Sequence, residues 1–301
     1  MGTALGVSAE RRSWVGGRHS PAGDHREPDA AAGSSTRSST PLPAAPEAPS
    51  HAGEDAEPAP ELRPAYYAST RAGGWRDWWT LLHPPYTAWH LAYVVIGASL
   101  APHVQLSRLL ATLLAFFLAV GLAAHALDEL HGRPLGTQIR SGVLAAVSVV
   151  ALAGAVALGV LGVQRVGWPL IPFIVIGPLL VMAYNAEWFG GLVHTDAGFA
   201  LAWGTFPVLT AYVAQADRLS LAAVLGGAGA FGLSAAQRAL STSARFVRRR
   251  VAEVHGHAVL TDGSIRPVDR AMLIQPIERA LRLLSWTVVL LAAALAVARL
   301  R

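Results

Sequence analysis

The stretch SGVLAAVSVVALAGAVALGVLGV, residues 141–163, contains no charged side chain and no proline. As an α-helix its 23 residues would rise about 34 Å, enough to cross a hydrocarbon core of roughly 30 Å. An uninterrupted apolar run of this length reads as a membrane span rather than a core helix. Its Ala, Gly and Val content suits close approach of neighbouring helices. Working outward, comparable runs fall at 86–100 and 107–127 before it, and at 169–184, 196–215, 219–240 and 281–298 after it. The expectation is an all-α, polytopic transmembrane bundle of about seven spans. Proline marks the first span at both ends, at His83-Pro84-Pro85 and Ala101-Pro102, where a missing amide donor does least harm. Pro172 and Pro178 predict a kink in the fourth.

Three regions follow. Residues 1–65 are Ala, Pro, Ser, Gly, Glu and Arg with almost no large aliphatics, a composition that predicts a disordered tail. No apolar core follows Arg11 and Arg12, so the tail does not read as a secretory signal. Residues 66–85 carry Trp75, Trp78 and Trp79 and read as an interfacial aromatic segment. Residues 86–301 form the transmembrane domain. The formal net charge is +5, every basic residue is Arg, and there is no Cys, which excludes disulfides and thiolate chemistry. Most Arg residues beyond the tail sit between apolar spans, so they read as membrane topology and not as a nucleic-acid face. Alternate breaks collect them. Arg133, Arg140, Arg245, Arg248, Arg249, Arg250, Arg266, Arg270 and Arg279 fall on one side, Arg165 and Arg218 on the other. That bias predicts an N-terminus on the cytoplasmic side, with membrane lipid as the principal surroundings.

Charges beside a span are default site candidates. His125, Asp128 and Glu129, at the end of the second span, are related by i, i+3 and i+4 spacing. They read either as carboxylate and imidazole ligands for a divalent cation or as the solvated exit of a helix. Tyr184, Asn185, Glu187 and Trp188 precede His194, Thr195 and Asp196, where Thr195 or Asp196 also reads as a simple helix N-cap. The run Ser241 to Arg250 holds Arg245, Arg248, Arg249 and Arg250 with no acid. It is either a headgroup anchor or a phosphate clamp.

Together these stretches resemble the UbiA superfamily of intramembrane prenyltransferases, closest to the branch that prenylates 1,4-dihydroxy-2-naphthoate. The resemblance runs from about Leu81 to Leu260. It rests on Leu82-His83-Pro84-Pro85-Tyr86-Thr87, on Arg133-Pro134-Leu135-Gly136-Thr137, on Tyr184, and on Asp196, Gly204, Pro207, Tyr212 and Gln215. It implies a helical bundle in a bacterial cytoplasmic membrane, with a cavity for a prenyl diphosphate and a hydrophobic aromatic acceptor, and Mg²⁺ on Asp-rich motifs. By that likeness Asp128, Glu129 and Asp196 are the catalytic candidates, with Asp128 and Glu129 as the Mg²⁺ ligands. His125, Arg133, Tyr184, Asn185, Arg245, Arg248 and Arg249 are the substrate-binding candidates. The chain departs from the family at Ala124 and Gly132, where the first motif has Asn and Asp, and at the acid-free run 241–250. Two functions are therefore expected: prenyl transfer with Arg standing in for part of the metal site, or binding of a polyprenyl lipid or protein partner without catalysis. A transporter is a weaker third reading, since no inverted repeat is evident.

Overall fold

Span-length apolar runs become long helices in the computed structural model, which describes residues 65–69, 73–185, 190 and 193–300. The tail up to residue 64, with Glu187 and Trp188, lies outside the described residues. A short α1 (Trp75–Leu81) is followed by α2 (Pro84–Ser99), α3 (Leu106–Leu130), α4 (Ser141–Val166), α5 (Trp168–Asn185), α6 (Asp196–Ala216), α7 (Leu221–Arg250) and α8 (Arg270–Arg299). Between α7 and α8 stands an antiparallel hairpin, β1 (His257–Val259) with β2 (Ile265–Pro267). Five of these helices, α3, α4, α5, α6 and α8, are each long and apolar enough to cross a membrane. Of the remaining two long helices, α2 has only 16 residues. The other, α7, dilutes its apolar stretch with Gly226, Gly227, Gly229 and Gly232. Pro178 lies inside α5, and Pro172 in the turn where its α-helical part begins at Ile171.

The last two elements differ from the expected ones. The apolar runs at 219–240 and 281–298 leave residues 241–280 between spans, but α7 continues to Arg250 and α8 begins at Arg270. Helix here is sustained by tertiary pairing. Arg248 forms an ion pair with Glu278, and Arg270 donates to the carbonyls of Val247 (3.3 Å) and Arg248 (2.7 Å). Asp269 caps α8 by accepting from the Met272 amide at 2.7 Å.

Lipid-like surroundings supply no hydrophobic force between helices, so close packing and internal hydrogen bonds must hold the bundle. The central element is α2, with Trp89, Tyr93, Val94 and Ala98 fully buried against α6 and α8. Tyr93 Oη and Ser234 Oγ pair across the interior at 3.1 Å. Only 17% of the most apolar window of α4 is buried, and Val149 and Val150 project outward, as a lipid-facing helix would.

Two glycines permit the close approaches. A Cβ on Gly97 would stand 2.2 Å from the Val208 carbonyl oxygen, and one on Gly204 would stand 2.6 Å from that of Ala230. Gly97→Ala must push α2 and α6 apart, at a cost of about 1–3 kcal/mol or more. Gly232→Ala meets open space, and it should stabilise helix α7 by roughly 0.5–1 kcal/mol. Thermal unfolding of the purified protein in detergent checks both, and the two shifts should have opposite signs.

Candidate functional site

Buried polar groups gather where α2, α3, α5, α6, α7 and α8 meet at one end of the bundle, around a cavity of about 350 Å³. The π-helical widening of α3 from Phe117 to Ala124 precedes its last turn. It leads into that turn, which presents His125 and Asp128 to the cavity. The His125 and His83 rings lie 4.3 Å apart between centroids. His83 takes a left-handed backbone (φ 46°) as the N-cap of α2, and its Nδ1 is 2.7 Å from the Leu81 carbonyl oxygen. Tyr67 and Tyr86 continue the aromatic wall, Tyr67 lying 5.1 Å from His83 and 5.5 Å from Tyr86.

The opposite wall is cationic. Arg238, Arg245, Arg248 and Arg249 all line the cavity, against two carboxyls, Asp128 and Glu278. Arg238 is drawn to Asp196 at 3.0 Å and lies 5.3 Å over the Phe199 ring. Arg248 pairs with Glu278, both nearly buried. Arg245 donates to Thr242 Oγ1 at 3.1 Å. Neither Arg245 nor Arg249 has an ion-pair partner among the described residues. Confined excess positive charge favours an anion, and guanidinium matches phosphate oxygens in bidentate fashion.

Burial, helped by the fields of Arg245 and Arg249, pushes the His83 imidazole down from 6.5 to about 4. The folded form therefore keeps His83 neutral where an unfolded chain would take up a proton. Its stabilising contribution is complete above pH 6.5 and lost as pH falls from 6.5 toward 4. Thermal unfolding should show a decline in that window that His83→Asn reduces. Asn tolerates the left-handed backbone while removing the titrating group.

Sequence-predicted residues divide between this cavity and other tasks. His125, Asp128, Asn185, Arg245, Arg248 and Arg249 line it. Asn185 donates to the Val181 carbonyl at 2.8 Å. Tyr184 stands behind the wall, stacked on His194 at 4.5 Å, its buried hydroxyl without a hydrogen-bond partner among the described residues. Glu129 is turned away. Its carboxyl accepts from Leu135 N (3.0 Å), Thr137 N (2.8 Å) and Thr137 Oγ1 (2.8 Å), and it is fully buried. These three bonds to the 135–137 loop, and not helix geometry alone, keep Glu129 out of the cavity that Asp128 lines. Arg133 likewise serves its own loop, donating to Thr137 O (3.1 Å), Ile139 O (2.5 Å) and Ser141 Oγ (2.7 Å). Asp196 holds Arg238 and is mostly exposed, while Thr195 caps α6 by accepting from Gly198 N at 2.9 Å.

Only one of the two carboxylates expected to hold Mg²⁺ lines the cavity. Mg²⁺ relies on one or two carboxylates together with phosphate oxygens. Of the two expected ligands only Asp128 reaches the cavity, Glu278 is held by Arg248, and four guanidiniums stand around them. No group of three His, Asp or Glu side chains suited to a metal occurs among the described residues.

Residues outside the sequence-based set include Tyr67, His83, Tyr86, Phe199, Trp203, Arg238 and Glu278. Arg238 carried a readable signal, being a lone charge inside the expected span 219–240. Comparison with known protein families, with characterised proteins and with solved structures finds no match to this chain.

Proposed function

We propose that this chain is a UbiA-like protein of seven membrane crossings, N-terminus cytoplasmic, that binds a prenyl diphosphate and transfers its prenyl group to a hydrophobic aromatic acceptor. The observation that carries the reading is the meeting of Arg238, Arg245, Arg248 and Arg249 with aromatic rings in one cavity at the helix ends. Arg245 and Arg249 take the diphosphate oxygens, so that guanidinium supplies the charge neutralisation usually left to a metal. The allylic C1–O bond breaks and its electron pair leaves with the diphosphate. The allylic cation is held against the π faces of Tyr67, Tyr86, Phe199 and Trp203. An electron-rich ring carbon of the acceptor bonds to C1, and the ring proton leaves to a wall base. Asp128 is that base, the one wall carboxyl without an ion-pair partner among the described residues.

A second reading, binding without transfer, is favoured by the commitment of Glu129 and Asp196 to other partners. One experiment separates the two. Purified protein is incubated with prenyl diphosphates and a panel of dihydroxynaphthoate-like acceptors, with and without EDTA. Diphosphate release and prenylated product that persist in EDTA and vanish in Asp128→Asn support transfer. Saturable binding without release leaves the second reading standing. Neither binding nor release would end both.

A further inference from the structure

A second cavity, of about 470 Å³, lies between α3, α4, α5 and α6. Both of its charged residues, Arg108 and Arg165, stand at the end of the bundle opposite the arginine wall, at the start of α3 and the end of α4. No carboxyl among the described residues lines it. Arg108 is already committed. Its guanidinium donates to the carbonyls of Ala214 (3.3 Å), Gln215 (3.2 Å) and Arg165 (2.5 Å), where a cation suits the C-terminal ends of α6 and α4. Those bonds hold the guanidinium still without exhausting its donors. Arg165 has no such duty. Its side chain is exposed and has no ion-pair partner among the described residues. Trp168, close by in sequence, is 81% exposed, as suits an aromatic ring at headgroup level. Asp217 and Arg218, in the turn after α6, offset each other in formal charge, and neither lines the cavity.

Below that rim the walls have nothing to offer a polar ligand. The two hydroxyls there, of Thr112 and Thr210, are spent on the carbonyls of Arg108 (2.8 Å) and Phe206 (2.7 Å). Ala111, Ala115 and Ala119 recur every fourth residue along one side of α3 and leave room that larger side chains would fill. From Arg108 to Ala119 the helix rises about 16 Å, half of a hydrocarbon core of roughly 30 Å. The cavity thus combines the depth of one leaflet, an apolar interior and a cationic rim at headgroup level. A membrane phospholipid meets all three conditions, with one acyl chain inserted and its phosphate at the rim. Unbalanced positive charge there selects an anionic headgroup over a zwitterionic one, whose own ammonium is repelled.

We propose that this cavity holds an anionic phospholipid of the leaflet opposite the arginine wall, its phosphate on Arg165 and Arg108. Buried Val120 and Trp203 stand between the two cavities, and the lipid site is independent of what the arginine cavity binds. The full chain is reconstituted in nanodiscs of equal phosphatidylglycerol and phosphatidylcholine, extracted into mild detergent, and its retained lipid counted by native mass spectrometry. Phosphatidylglycerol should be retained about fivefold or more over phosphatidylcholine, and Arg165→Gln should remove that preference, as the loss of one basic residue at a lipid surface predicts. Ala115→Phe should lower retention of both lipids. Arg218→Gln removes a charge at the same end outside the cavity and should leave retention unchanged. Excess glycerol phosphate, a headgroup without chains, should not displace the lipid. Circular dichroism matching wild type qualifies each variant, and Arg165→Gln, at an exposed position, keeps the test decisive if Ala115→Phe fails to fold. Equal retention of the two lipids, an equal loss in Arg165→Gln and Arg218→Gln, displacement by glycerol phosphate, or indifference to a folded Ala115→Phe would overturn the proposal.

Discussion

Glu129→Ala is expected to lower stability by about 3–5 kcal/mol, although Glu129 touches no ligand in this account. Its carboxyl accepts three hydrogen bonds from the loop at Leu135 and Thr137, in a fully buried position. Bonds to such a group contribute about 1.5–3 kcal/mol each, and orphaned buried amides add a desolvation penalty of about 1–3 kcal/mol. Glu129→Gln keeps an acceptor for part of this set and should lose roughly half as much. Thermal unfolding in detergent measures both, and limited proteolysis between residues 131 and 140 should rise in the same order. Had Glu129 been a metal ligand, its removal would have impaired ligand binding and spared, or even raised, stability. The two roles thus differ in the sign of the expected shift.

Arg248→Ala is the second large effect. Arg248 and Glu278 form an ion pair with both side chains nearly out of solvent. Removing the cation leaves an uncompensated buried carboxyl and should cost about 3–5 kcal/mol. Arg248→Met combined with Glu278→Leu removes both charges and should recover most of that loss, because a well-packed apolar pair often replaces a buried ion pair without penalty. The double variant also separates structure from recognition. Its stability should approach wild type, while one cation of the cavity wall is gone. Unfolding of the four members of this cycle gives the coupling directly.

Much of the helical layout was legible because the membrane imposes a length on apolar runs. The runs at 107–127, 141–163, 169–184 and 196–215 all became helices of matching position. The first run, at 86–100, became α2. What escaped was the extension of α7 to Arg250 and the early start of α8. Both are polar on the outside and are held by Arg248, Glu278 and Arg270, contacts that span 22 to 30 residues. A hint was present, since Arg238, Ser241, Arg245 and Arg248 recur at helical spacing. The site was legible in part for the same reason. Charge near a span marks where to look, and His125, Asp128 and three of the arginines meet as expected. Sequence spacing could not say which of two adjacent acids turns inward, because that depends on the loop that captures Glu129. Nor could it show that Asp196 would be taken by Arg238 across 42 residues.

The central claim is that guanidinium groups, without a divalent cation, hold a phosphorylated isoprenoid. The most direct measurement is the affinity of the purified chain for farnesyl diphosphate in EDTA, compared with Arg245→Gln combined with Arg249→Gln. Each charge-assisted bond contributes about 1.5–3 kcal/mol, so the pair should account for an affinity loss of about a hundredfold or more. Retained binding in EDTA by wild type, with that loss in the double variant, is the expected result. Binding that requires Mg²⁺, or that survives removal of both arginines, would contradict it.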